Sequence, residues 1–322
     1  MPATAWAQRG RASSDQRSLL AKLQWVHFSI IGGRLQGVPS SFGSTVSTHH
    51  NDPISGRNER ISVNVTTGTP AVHYESSSKR EQVIVDVTGI DQLRIRRTPI
   101  DLPLEPTVEF TQESSGSMLL LAIGEGERRE EFRAPGIWQL MLAQPELCAK
   151  HLTPLLELLR PEWRLTSTST AVEETLLRSA QTHKLPDVSR WAALVSQLGA
   201  DQFAPRQQAE KQLRRAGQSV LPYLHSLDLA GLSAEQRYRV RRLRDELLTA
   251  EDDNPERIST WLLTDASVWL SLLQREDAAR RRAAAEHLTL LLGGPIDFDP
   301  DADAATRAAQ WEALAKRVAK KS

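Results

Sequence analysis

The chain has 322 residues, 40 of them basic and 40 acidic, with one cysteine and 5% aromatic side chains. That length allows two cores. Charge balance excludes a global field drawing the chain to nucleic acid or an anionic membrane, and a lone thiol excludes an intramolecular disulfide framework or a multi-cysteine metal cluster.

The chain opens with Ala3-Thr4-Ala5-Trp6-Ala7-Gln8, in which Ala5-Trp6-Ala7 matches the small-residue end of a secretory signal peptide. Two locations stay open: export if a basic and apolar leader precedes Met1, the cytoplasm otherwise. Residues 1–22 read as a loosely held polar tail, with Ser14-Asp15 able to cap a short helix. The run Gln24 to Ile31 is rich in β-branched and aromatic residues and stops at Gly32-Gly33, which predicts a strand. Residues 37–60 hold Ser, Thr, Gly, Asn and Pro with few apolar anchors, which predicts a mobile loop.

Strand signals follow about every ten residues. Ile61, Val63 and Val65 alternate with polar residues; Val72 to Glu75, Gln82 to Thr88, Leu93 with Ile95, Thr107 to Gln112, Met118 to Ile123 and Arg128 to Arg133 continue the pattern. An antiparallel meander of six or seven strands is expected. Past Gly136 the apolar period becomes helical, with Trp138, Met141 and Leu142 on one stripe and Leu147, His151, Leu155 and Leu159 on another. These helices are placed to cover the sheet, giving a first domain over 23–165. Thr166 to Thr170 reads as a Ser/Thr linker.

The rest, 171–322, is predicted to be helical, with roughly eight helices. Trp191, Leu194, Val195 and Leu198 mark one; Ser233 with Gln236 forms a capping box; Asn254-Pro255 and Asp303 open two more. No run of about 18 apolar residues predicts a membrane span.

Arg206, Ala209 and Leu213 recur with the same spacing as Arg281, Ala284 and Leu288. Such self-similarity marks stacked helix pairs that hide their apolar stripes against one another. The stretch from Leu198 to Gly217, and the close from His287 through Gly293 to Asp297-Phe298-Asp299-Pro300, resemble the HEAT-like helical repeats of bacterial proteins. The resemblance covers about residues 188 to 318, with the helix at 233 to 248 matching poorly. It implies protein binding or scaffolding through a concave face and carries no catalytic residues. The expected fold class is therefore α+β, an antiparallel β domain covered by helices and followed by a HEAT-like array.

Several residues are candidate sites. Asp297, Asp299, Asp301 and Asp303 alternate as D-x-D-x-D-x-D, a source of oxygen ligands for calcium, but Ala302 and Ala308 stand where an EF-hand loop needs its turn glycine and bidentate glutamate. A capped, solvated inter-helix loop is the favoured reading. Arg237, Arg241 and Arg244 share a helix face that could meet phosphates, yet Glu235, Asp245 and Glu246 sit among them and no aromatic platform is evident, so nucleic acid is disfavoured. His49-His50 with Asp52 lies in the predicted loop, and Cys148 with His151 on one helix face; both read as structural or solvated side chains. No G-x-S-x-G, H-E-x-x-H, P-loop or G-x-G-x-x-G is present, so no cofactor is expected. The expectation is a non-catalytic interaction or scaffolding protein with an unidentified protein partner. The alternatives are an enzyme with a pocket at the sheet-helix junction, using His73, Tyr74 or Asp86, and a weak nucleic-acid binder.

Overall fold

The computed structural model describes residues 19–20, 26–40, 45–66, 68–102, 104–113, 118–181, 188–227, 229–247 and 252–319. The signal-peptide signature at Ala5-Trp6-Ala7 and the Ser14-Asp15 cap lie outside them.

The fold is α+β. Strands β1 (Val26–Ile31) and β2 (Arg34–Pro39) form a hairpin of their own. Gly32 and Gly33 at its tip have φ of 60° and 75°, the left-handed pair a tight two-residue hairpin demands. A Cβ on Gly33 would also meet the Trp261 ring at 3.0 Å. The eight remaining strands, β3 (Thr45–Asp52), β4 (Arg57–Thr66), β5 (Thr69–Ser77), β6 (Glu81–Thr88), β7 (Gln92–Pro99), β8 (Val108–Gln112), β9 (Leu119–Ile123) and β10 (Glu130–Ala134), form one antiparallel meander in chain order. Its inner face, with Val63, Val85, Ile95, Phe110 and Leu121, is buried beneath the β1–β2 hairpin and the helices.

Two expectations are corrected here. The described residues within 37–60 are not a loop: they hold the end of β2, all of β3 and the start of β4. Edge strand β3 is exposed along nearly its whole length, so it needs no apolar alternation, and its Thr and Ser residues suit a strand without announcing one. In β4 the inward position of Glu59 breaks the apolar pattern. Its carboxylate is buried but satisfied, accepting from the Tyr74 hydroxyl at 2.8 Å and from Leu19 N at 3.0 Å. The second correction is Thr166 to Thr170, which are the first turns of a helix rather than a linker. Their hydroxyls fold back onto it, Ser167 Oγ donating to Arg164 O and Thr170 Oγ1 to Thr166 O, which lets a Ser/Thr run stay helical.

The helices are α1 (Ile137–Ala143), α2 (Pro145–Leu147), α3 (Thr153–Leu156), α4 (Leu165–Ala180), α5 (Val188–Gln197), α6 (Phe203–Ala216), α7 (Leu221–Ser226), α8 (Ala234–Leu247), α9 (Pro255–Leu262), α10 (Ala266–Leu272), α11 (Ala278–Leu292) and α12 (Ala304–Ala319). A π-helical turn, Cys148–Leu152, joins α2 to α3. The Ser233–Gln236 capping box forms, Gln236 N donating to Ser233 Oγ at 3.3 Å and Ser233 N to Gln236 Oε1 at 2.9 Å.

Apolar packing divides the chain differently from the expected boundary near 165–171. One cluster joins the sheet, the β1–β2 hairpin, α1 to α4 and α9 to α12. A second, separate cluster is made by α5 to α8 alone, from Trp191, Leu194, Val195, Leu198, Ala209, Leu213, Val220, Leu224, Val240 and Leu243. The helical region thus has an inserted unit, 188–247, and a return segment packed with the sheet.

Candidate functional site

The two repeat units adopt the same local arrangement. Arg206 Nη1 donates to Ala200 O at 2.7 Å and Asp201 O at 2.9 Å, while Arg281 Nη1 donates to Arg275 O at 2.8 Å and Glu276 O at 2.5 Å. Each guanidinium thus satisfies carbonyls six and five residues before it, just past the preceding helix, where such groups lack intrahelical partners. Ala209 and Leu213 face the α5–α8 core as Ala284 and Leu288 face the main one. At the same offset, Leu194, Val195 and Leu198 in and after α5 match buried Trp269, Leu270 and Leu273 in and after α10. A partial third copy follows in α12, where Arg307 donates to Ala302 O and Leu314 is buried, with Gln310 at the alanine position.

The Arg237, Arg241 and Arg244 stripe divides. Arg244 turns into the unit, its Nε donating to Leu224 O at 3.1 Å at the end of α7. Arg237 and Arg241 stay outside and have no carboxylate partner among the described residues. Their neighbours are engaged: Arg239 pairs with buried Glu210 and, at 2.6 Å, with Glu235, and Arg242 pairs with Glu246 at 2.8 Å. Glu210 also binds Arg214 and is buried in the seam between α6 and α8, while Glu235 and Glu246 are paired with arginines at its partly exposed rim.

On the outer face of α6 lies a shallow, open groove of about 680 Å³, lined by Arg190, Gln207, Gln208, Lys211, Gln212, Arg214, Arg215 and Ala204. Arg190 Nη2 donates to Gln212 Oε1 at 3.1 Å across the α5–α6 boundary. Among the described residues, no carboxylate lines it. The sequence reading missed this surface. Its signal was present, since Ala204, Gln207, Gln208, Lys211 and Arg215 recur at helical spacing opposite Ala209 and Leu213, an outward stripe with no acid in it.

The aspartate run is engaged locally. Asp303 caps α12 by accepting from Ala305 N and Thr306 N, both at 3.0 Å; Asp301 pairs with Arg282 at 2.8 Å; Asp299 accepts from Asp301 N at 2.9 Å. Hydrogen bonding to Thr306 holds the Asp303 carboxyl below its usual range, and Arg282 does so for Asp301. Asp297 lies in the loop before them. Among the described residues, no three metal-binding side chains come together.

The residues suggested for a junction pocket separate. Tyr74 is inside the sheet-helix core, its phenol pushed up to about 12 by burial and then by hydrogen bonding to Glu59. His73 and Asp86 lie half-exposed on the opposite face, Nδ1 to Oδ1 2.7 Å, because neighbouring strand residues point to opposite sides. His49 and His50 are exposed on β3, and Asp52 is held by its own turn through Ser55 Oγ and Ile54 N. Burial pushes the Cys148 thiol up to about 12, which makes it a poor nucleophile at neutral pH, and burial lowers the pKa of His151.

A polar cluster that sequence reasoning did not single out joins the inserted unit's exit to the sheet. Asp253 accepts from Gly33 N at 2.7 Å, Gly32 N at 2.9 Å and Trp138 Nε1 at 2.7 Å. Burial raises its carboxyl above the ordinary range, and the three donors oppose that shift. Asp252 accepts from Ile30 N at 3.1 Å and from Arg160 Nη1 at 2.6 Å. Adjacent aspartates are unremarkable in a sequence; only the distant glycine amides give these two a place.

No family model matches the chain, and neither curated proteins nor solved structures yield a significant match. No helix of the described residues is long and apolar enough to cross a membrane.

Proposed function

We propose that the protein is a non-catalytic interaction or scaffolding module, and that α5–α6 and α10–α11 are HEAT-like hairpins serving that role. The observation that carries this reading is the inserted unit: four helices with a core of their own, offering an open polar groove on α6. A partner can dock on such a surface without disturbing the sheet-bearing core. The residues suggested for catalysis point the same way, since Tyr74 is locked in the core while His73 and Asp86 face water across the sheet.

The test is site-specific photo-crosslinking of the full chain in its native extract. A photoreactive side chain at Gln207 or Gln208 should trap a discrete protein, and one at Thr111 on the outer sheet face should not. Absence of a product at both positions, or equal products at both, would count against the reading.

A further inference from the structure

From the α6 groove we infer the chemistry of the partner: an acidic, extended peptide segment. This rests on the protein-binding reading and adds the ligand class. Residues 188–247 contain ten Arg and Lys against six Asp and Glu, a net charge of +4 in a chain whose total is zero. The positive charge is also concentrated on one side. Glu210, Glu235 and Glu246 are held by arginines in and beside the α6–α8 seam, so none of them reaches the groove.

What lines the groove is Arg190, Lys211, Arg214 and Arg215 with three glutamines. Arg214 is compensated by Glu210 and Glu246, whereas Lys211 and Arg215 are exposed and have no carboxylate partner among the described residues. Two such cations one helical turn apart, Lys211 and Arg215, favour a ligand with repeated negative charge. Glutamine amides both donate and accept, which matches peptide N–H and C=O groups. A nucleic-acid strand would need flat rings for its bases, and among the described residues no aromatic side chain lines the groove. The open shape of the groove admits an extended chain.

The experiment measures fluorescence anisotropy of labelled oligoglutamate with the full chain at low salt, beside oligothymidylate of equal length. Oligoglutamate should bind, and Lys211→Glu with Arg215→Glu should weaken it by about tenfold or more. Arg237→Glu with Arg241→Glu, an equal charge change on α8 outside the groove, should weaken it by less than about threefold. Lys211, Arg215 and Arg241 are exposed and Arg237 is half-buried, and circular dichroism verifies that both variants fold; Lys211→Gln with Arg215→Gln replaces the first pair if it does not. The inference is overturned by no binding of oligoglutamate, by equal losses in the two variants, or by tighter binding of oligothymidylate. It is also overturned if sedimentation shows self-association that Lys211→Glu with Arg215→Glu abolishes, since the occupant is then a second copy. Should crosslinks from Gln207 and Gln208 persist while oligoglutamate fails to bind, only the acidic chemistry falls; loss of both removes the protein-binding reading as well.

Discussion

Asp253 shows how one side chain ties distant chain segments together. Its carboxylate accepts from two glycine amides at the β1–β2 tip and from the Trp138 indole, all donors, so an amide there would turn an N–H toward an N–H. Asp253→Asn should lower stability by about 1–3 kcal/mol, measured by urea unfolding. The pH dependence has a definite sign. Because burial raises the folded pKa, the contribution of Asp253 is full below the ordinary carboxylate pKa and declines as pH rises through the raised value. Stability measured across that acidic window should fall with pH more steeply in the wild type than in Asp253→Asn. Tyr74 has the same sign at the other end of the scale. With its phenol near 12, its contribution holds below the unfolded value of about 10 and disappears as pH rises through about 12. Tyr74→Phe should flatten alkaline unfolding over that interval. The arginines of the twin hairpins are a third case: Arg281, bound to Arg275 O, Glu276 O and Pro300 O, is almost fully buried. Arg281→Met should cost about 1–3 kcal/mol by leaving those carbonyls unsatisfied. Arg206→Met, at a wetter site with two carbonyls, should cost less in the same titration.

Among the elements, the helical hairpins were the most legible and the edge strand the least. Ala209, Leu213, Ala284 and Leu288 repeat at spacings that place them on a buried stripe, and all four are buried. Strand β3 and the first turns of α4 were missed because nothing apolar marks them: β3 buries almost nothing, and α4 begins with hydroxyl side chains that bond to their own backbone. The Arg237–Arg244 stripe was found as a row, but its members have different fates, which depend on where Leu224 O and Glu210 lie. Leu213 and Leu288 occupy equivalent places in separate cores. Truncating either to Ala should cost about 2–5 kcal/mol. Hydrogen exchange should then rise across 188–247 for Leu213→Ala, and across α9 to α12 and α4 for Leu288→Ala.

Taken as a whole, the molecule is a sheet-bearing core with a four-helix unit inserted between α4 and α9. Glu173 helps close that core, accepting from Arg275 at 2.7 Å and Arg280 at 2.6 Å while Arg275 also reaches Leu142 O. Glu173→Gln should destabilise by about 3–5 kcal/mol, because it leaves a sheltered arginine without its counter-charge. The two cores also predict independence: Leu213→Ala and Leu288→Ala combined should add within about 0.5 kcal/mol in urea unfolding, whereas a single shared core would couple them. By itself the sequence determined the α+β class, antiparallel strands followed by helices, because this follows from local periodicity and turn chemistry. Only the tertiary structure decided that α9 to α12 return to the sheet, that Asp252 and Asp253 meet a glycine hairpin some 220 residues earlier in the chain, and that α6 carries a groove lined by cations and glutamines. The physical reason is that a periodic pattern tells a residue which way to face, whereas its partner is fixed by long-range packing and by the buried polar groups that packing must satisfy.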